Sequence, residues 1–333
     1  MRSREGDFVE TIQGLIFDVK GLIHPPDRVI SFLRYVPSPD GDRQRHGTRY
    51  RKIHDLDERW AFLREHYPDY IYFDDYFGRE LQAVPKAKIR LLHDPRKKLN
   101  ELLKGNCLEP IERDTVELAQ ILEKEAAIDV DNIGVSGSVL VGLHESSSDI
   151  DLIIYGKDSS RSIQETLERL LSTNKILRRY DVEGLKRLYR SRSMETAMGF
   201  SGFLAHERRK VLQGSFRDRD YFIRCLRDWD EVQETYGSFR CRRFGKAKIH
   251  AVVSEDSESI FTPCIYEVKD VTRLERAEYV PTRVISYRGR FCEQVKTGEE
   301  IMALGELENV VTDEKEYSQL VVGESPRDFI FKV

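Results

Sequence analysis

The run GSVLVGLHESSSDIDLIIYG, residues 137–156, constrains the fold more than any other stretch of the chain. Gly137-Ser138 and Gly142 break regular structure, so a turn is required there, and the apolar residues from Ile150 onward require a buried strand. Residues two apart on a strand share a face, so Asp149 and Asp151 converge while Ile150 and Leu152 turn into a core. Two like charges held that close repel, and a hard divalent cation between them, Mg²⁺ or Mn²⁺, relieves the repulsion. Ahead of the pair, Gly137-Ser138 follows a short strand, NIGVSGS, and opens a helical stretch. Free N–H groups at such a start attract phosphate, glycine lets the backbone come close, and the Ser138 hydroxyl adds a further hydrogen bond. Each half alone also fits a bland role: Gly-Ser turns are common, a strand can end in solvated aspartates, and Ser148 can be a plain turn residue. Together they provide both halves of a site for a metal and a phosphate chain.

The remaining pattern surrounds that run with other units. Residues 1–105 read as a small α+β domain: GLIFDVKGLI and RVISFLRYV alternate as strands, LDERWAFLREHY is an amphipathic helix, and SPDGDRQRHG is a polar loop between them. KKLNELLKG ends at Gly105, a helix stop and a domain boundary. Residues 106–275 form the second domain. It begins with the helix IERDTVELAQILEKEA, continues through the central run and the helix SIQETLERLLS, has helical segments near 183–191 and 203–212, and reaches a strand at 219–226. KAKIHAVVS and FTPCIYEV follow as strands. Residues 276–333 are short alternating stretches broken by glycine, the pattern of a small barrel or sandwich.

The run is similar to the DNA polymerase β-type nucleotidyltransferase superfamily. The shared pattern is Gly137-Ser138, three residues, Gly142, five residues, then Ser148-Asp149-Ile150-Asp151-Leu152. The arrangement with extra N- and C-terminal domains resembles an uncharacterised archaeal group of nucleotidyltransferases. The resemblance implies an α+β fold with a palm-like mixed-sheet core. It implies transfer of a nucleoside monophosphate from an NTP to an acceptor hydroxyl, release of pyrophosphate, and two divalent ions. Gly137, Ser138, Gly142 and Ser148 then belong to the nucleotide site and Asp149 and Asp151 to the metal site. The superfamily uses a third carboxylate on a neighbouring strand. Asp220, at the start of DYFIRC, is the first choice. Asp218 is a neighbour on the same face, and Glu255 or Asp256 is the alternative, with His250 in the third position if their strand lies beside the pair. One departure stands out: small members carry Ala-Arg before the second glycine, where this chain has Leu140 and Val141.

Charge is uneven. Residues 175–248 hold 19 basic and 10 acidic side chains, net +9, although the whole chain is −4. A basic middle fits a polyanion or simply solvated helices. Arg187, Arg190, Arg192, Arg208, Arg209, Lys210, Arg242 and Arg243, with aromatic residues interleaved, are the candidate RNA contacts. Five cysteines without a CxxC pair argue against a disulfide framework or a zinc site. With no apolar run near the ~18 residues of a membrane span, a cytoplasmic protein is expected. His144 reads as a loop residue, His24 as a strand entry, and Trp60 and Trp229 as core. Three functions remain open: addition of a nucleotide to an RNA end, nucleotidylation of a protein or small molecule, and a non-catalytic nucleotide- or RNA-binding module on the same fold.

Overall fold

The computed structural model describes residues 2–192, 197–273 and 279–333. These divide into two compact units. The first is residues 1–75, 79–166 and 216–236; the second is 76–78, 167–215 and 237–333. The boundary expected at 275–276 lies outside the described residues.

The first unit opens with an eight-stranded antiparallel sheet: β1 (Phe8–Thr11), β2 (Ile16–Val19), β3 (Arg28–Pro37), β4 (Arg43–Arg45), β5 (Thr48–Lys52), β6 (Ile71–Asp74), β7 (Arg79–Pro85) and β8 (Ile89–His93). The order is β4-β5-β3-β2-β1-β8, with β7 on β3 and β6 on β7. Alternation gives the sheet two apolar faces. Val9, Phe17 and Val36 join Leu63 of helix α1 (Leu56–His66) in one core. Their neighbours Phe8, Ile16 and Tyr35 turn to the other face. The polar stretch SPDGDRQRHG, expected to be a loop, contains β4: Arg43 and Arg45 are ordered because they pair with β5 and bind backbone carbonyls beyond the sheet.

Glu10 of β1 ties these parts together. Burial alone would raise its carboxyl, but hydrogen bonds from His93 at 3.0 Å and Arg45 at 2.8 Å, with Arg90 beside them, hold it at about 2. The folded value lies below the ordinary 4.5, so the stabilisation is present above pH 4.5 and lost as pH falls toward 2. Glu10→Gln is expected to lose about 3 kcal/mol at neutral pH, a gap to wild type that closes as pH falls toward 2 in urea titrations.

Helices α2 (Pro95–Lys104) and α3 (Pro110–Ala126) come next. Each has proline in its first turn. Asp94 caps α2, accepting from Arg96 and Lys97 N–H, and a Glu109/Glu112 capping box starts α3. Then come β9 (Ile133–Val135), the one-turn helix α4 (Gly137–Leu140), β10 (Ile150–Tyr155), α5 (Lys157–Thr173), β11 (Leu177–Arg178), α6 (Val182–Arg192), α7 (Phe200–Glu207), β12 (Gln213–Phe216) and β13 (Arg219–Leu226). Within the first unit, β10 runs antiparallel to β9 and parallel to β13, with Ile150 opposite Tyr221 and Asp151 opposite Phe222. After Asp151 the strand Leu152–Tyr155 is buried throughout, which explains its unbroken apolar sequence.

The second unit holds a closed ring. Strands β14 (Phe239–Glu255), β15 (Cys264–Arg273), β16 (Arg283–Ser286), β17 (Glu300–Thr312) and β18 (Glu316–Val321) pair in the order β14-β15-β16-β18-β17, and β17 returns to β14. β19 (Phe329–Lys332) adds to β17. Ala247, Ile249, Ala251 and Val253 alternate into the ring interior with Tyr266, Val284 and Leu307. Closure depends on the long β14, which removes the open edges a shorter set of C-terminal strands would leave.

Candidate active site

The turn before β10 is shaped by contacts with its own aspartate. Gly137 has φ +61°, and a Cβ placed there would sit 1.9 Å from Asp151 Oδ2. Only glycine lets the carboxylate lie against the turn. The Ser136 N–H donates to the Asp151 carbonyl at 2.9 Å, and the Ser136 hydroxyl donates to the Gly6 carbonyl at 2.7 Å. Strand and turn are thus joined on both sides of the site. Ser138 is buried, and its carbonyl accepts from Leu143 N–H at 2.9 Å. Gly142 also has positive φ, +64°, and packs near the Arg45 stem. Ser148 takes a turn role: its hydroxyl accepts from Glu145 N–H at 2.9 Å.

The spacer is apolar because it docks on the N-terminal sheet. Leu140, Val141 and Leu143 are buried against Phe8, Ile16, Tyr35 and Tyr50. Two arginines of β4 fasten its backbone: Arg45 donates to the Val141 carbonyl at 2.9 Å and Arg43 to the Leu143 carbonyl at 2.8 Å. This accounts for the departure at residues 140 and 141, where an arginine would be forced into a closed apolar face. Val141→Arg is therefore expected to cost about 3 kcal/mol or more in urea unfolding, because it buries a charge without a partner. Leu143→Ala should cost about 2–4 kcal/mol from the cavity it leaves.

Asp149 and Asp151 line one cavity of about 110 Å³ with Ser136, Gly137 and Ser138. Burial, and then the charge of Asp149, push the Asp151 carboxyl up to about 7, against the pull of Arg224, Lys52 and Arg34. That is the repulsion a cation would relieve. The N-terminal sheet contributes Asp18, Arg34, Tyr35 and Lys52 to the same cavity, and β13 contributes Phe222 and Arg224. The sequence reading missed all of these. Its signals were local, and the long loops between the elements hide which strands of the first sheet meet β10.

Asp220 sits on β13 but does not line the cavity; Phe222, two residues on, is the residue opposite Asp151. Among the described residues, no three metal-ligating side chains cluster together. Asp149 and Asp151 are the donors at this cavity that would hold a divalent ion. Asp256 and Glu255 have partners in the second unit, Thr297 and Ser257, at 2.6 Å each, and His250 lies 3.6 Å from Glu300.

The basic candidates all belong to the second unit. Lys210 is buried, with its ammonium 2.6 Å from Glu207. Arg192 also reaches Glu207, Arg209 pairs with Glu299 at 2.6 Å, and Arg243 lies among Glu306, Glu308 and Glu324. Arg187, Arg190, Arg208 and Arg242 are exposed. His144 binds Glu109, and His24 is a half-buried residue ahead of β3 whose Nδ1 accepts from the Ile30 N–H.

The family profile described as "Nucleotidyltransferase domain" matches residues 116–187, from the second turn of α3 through the aspartate pair and into α6. No helix of the described residues is long and apolar enough to cross a membrane. No solved structure matches the chain. Uncharacterized protein MJ1086 of Methanocaldococcus jannaschii is 32% identical to it, over 99% of this chain and 98% of that one. The chain belongs to the family of that archaeal protein and carries, at residues 116–187, a nucleotidyltransferase domain of the DNA polymerase β-type superfamily.

Proposed function

We propose that the protein is a metal-dependent nucleotidyltransferase that moves a nucleoside monophosphate from an NTP to an acceptor hydroxyl. The carrying observation is the convergence of Asp149 and Asp151 on a cavity that the Gly137-Ser138 turn also lines. A divalent cation, Mg²⁺ or Mn²⁺, held by Asp149 and Asp151 supplies charge neutralisation to the phosphates and acidifies the attacking hydroxyl. Gly137 and Ser138 orient the triphosphate tail. Gly137 fixes where Asp151 can stand, and Ser136 fixes the strand behind it. The acceptor oxygen forms a bond to the α-phosphorus, the α–β phosphoanhydride bond breaks, pyrophosphate leaves, and the hydroxyl proton passes to solvent. Such transfer depends mainly on positioning and charge. RNA is the acceptor we favour, on the net +9 of residues 175–248 and the four exposed arginines among the candidates.

A second reading rests on Phe222. An aromatic ring opposite Asp151, with no third acid clustered beside the pair among the described residues, suits a module that binds nucleotide without transferring it. Incubation with each α-³²P-labelled NTP, Mg²⁺ or Mn²⁺, and total RNA or protein separates the two. Label on RNA supports the favoured reading, label on protein changes the acceptor, and nucleotide binding with no labelled product supports the module.

A further inference from the structure

The charges around the cavity fall into two groups. Lys20 lies 2.7 Å from Asp18 and 3.1 Å from Glu5, and Glu5 also takes Arg224. Those two acids and two bases balance one another. Asp149, Asp151, Arg34 and Lys52 face the same cavity and behave differently. Among the described residues, no side-chain hydrogen bond or ion pair engages any of the four. They nonetheless feel each other's fields. Lys52 is pushed down to about 8 by burial and then by Arg34, with Asp149 and Asp151 pulling the other way. Opposite charges that share a half-buried cavity without touching are held apart by their strands, and attraction across such a gap is strong enough to favour a bridging occupant.

We propose that Arg34 of β3 and Lys52 of β5 grip the polyphosphate tail of the nucleotide, on the side of the cavity opposite the aspartate pair. This rests on the nucleotidyltransferase reading and adds to it a ligand contact supplied by the N-terminal sheet. One divalent ion neutralises Asp149 and Asp151, which leaves the two positive charges of Arg34 and Lys52 to meet the tail. The guanidinium offers paired donors to phosphate oxygens and the ammonium a compact point charge. The two positions are adjacent in the sheet, since Tyr35 pairs with Lys52. Buried Tyr35 and the bond from Ile53 N–H to the Arg34 carbonyl at 2.9 Å fix the backbone between them. The sheet that clamps the motif spacer through Arg43 and Arg45 thereby also completes the phosphate site, which gives the first ~105 residues a part in substrate binding.

Calorimetry with the full chain, Mg²⁺ and inorganic tripolyphosphate tests the grip, with pyrophosphate and a non-hydrolysable ATP analogue as parallel arms. Wild type should bind tripolyphosphate, and Arg34→Ala and Lys52→Ala should each weaken it about 10-fold or more, with Arg34→Lys and Lys52→Arg recovering part of the loss. Thermal melts of the variants should stay near wild type, because neither side chain is hydrogen-bonded in the fold. Binding by both alanine variants within twofold of wild type, or no polyphosphate binding by wild type, overturns the grip. The labelled-NTP assay reads the underlying function separately: tripolyphosphate binding that is lost in the variants, without any transfer by wild type, keeps the grip and removes the enzyme.

Discussion

Replacing either Asp149 or Asp151 with alanine is expected to lower nucleotidyl transfer by about a thousandfold or more, while the metal-free protein melts at the same temperature or higher. The two effects have one origin. Asp151 is half-buried against Gly137 with Asp149 beside it, and its removal from water and then the charge of Asp149 raise its carboxyl to about 7. Holding the pair together therefore works against folding whenever both are ionised, and removing one charge relieves that opposition. The same crowding gives the pair its affinity for a divalent ion. Circular dichroism melts in EDTA and then in Mg²⁺ separate the contributions: added Mg²⁺ should raise the wild-type melting temperature and leave both variants unmoved. Transfer by the double variant within tenfold of wild type would remove the pair from the chemistry.

The sequence made this site legible because its spacing carries its geometry. Asp149 and Asp151 are two apart on a strand, and Gly137 must be glycine because a carboxylate occupies the space of its Cβ. Helices α1, α2 and α3 were equally readable, since their caps and apolar periods are local. What a local reading could not supply is pairing between distant strands. Phe222 opposes Asp151 through a parallel register set some seventy residues downstream, which no local signal in the sequence reports. The apolar Leu140 and Val141 looked like a gap in the motif and are the docking surface for Phe8, Ile16, Tyr35 and Tyr50. The same holds for the basic residues: Lys210 and Arg243 carry charge in the sequence, yet their partners, Glu207 for the first and Glu306, Glu308 and Glu324 for the second, are revealed only by folding.

Gly137→Ala and Gly142→Ala differ by one methyl group at backbones of nearly the same φ, +61° and +64°, and should give very different proteins. Left-handed backbone costs any non-glycine residue roughly 1 kcal/mol, so that part is common to both. At Gly142 the new Cβ would meet the Arg45 stem, Cδ at 3.5 Å and Cγ at 3.8 Å, both ordinary contacts. Gly142→Ala should therefore lose about 1 kcal/mol and retain transfer within a few-fold. At Gly137 the Cβ would lie 1.9 Å from Asp151 Oδ2, 2.8 Å from its Cγ and 3.1 Å from its Cβ. The whole carboxylate, rather than the tip of a flexible chain, stands in the way, and Asp151 is fixed by its carbonyl bond to Ser136 and its place in β10. Either the turn opens or the aspartate leaves the cavity, and both separate the phosphate half of the site from the metal half. Gly137→Ala should lose about 3 kcal/mol of stability and at least a hundredfold in transfer, with Mg²⁺-dependent stabilisation lost as well. Urea unfolding with and without Mg²⁺ reads all three. Equal behaviour of the two alanine variants would mean that the turn and the aspartate do not act as one unit.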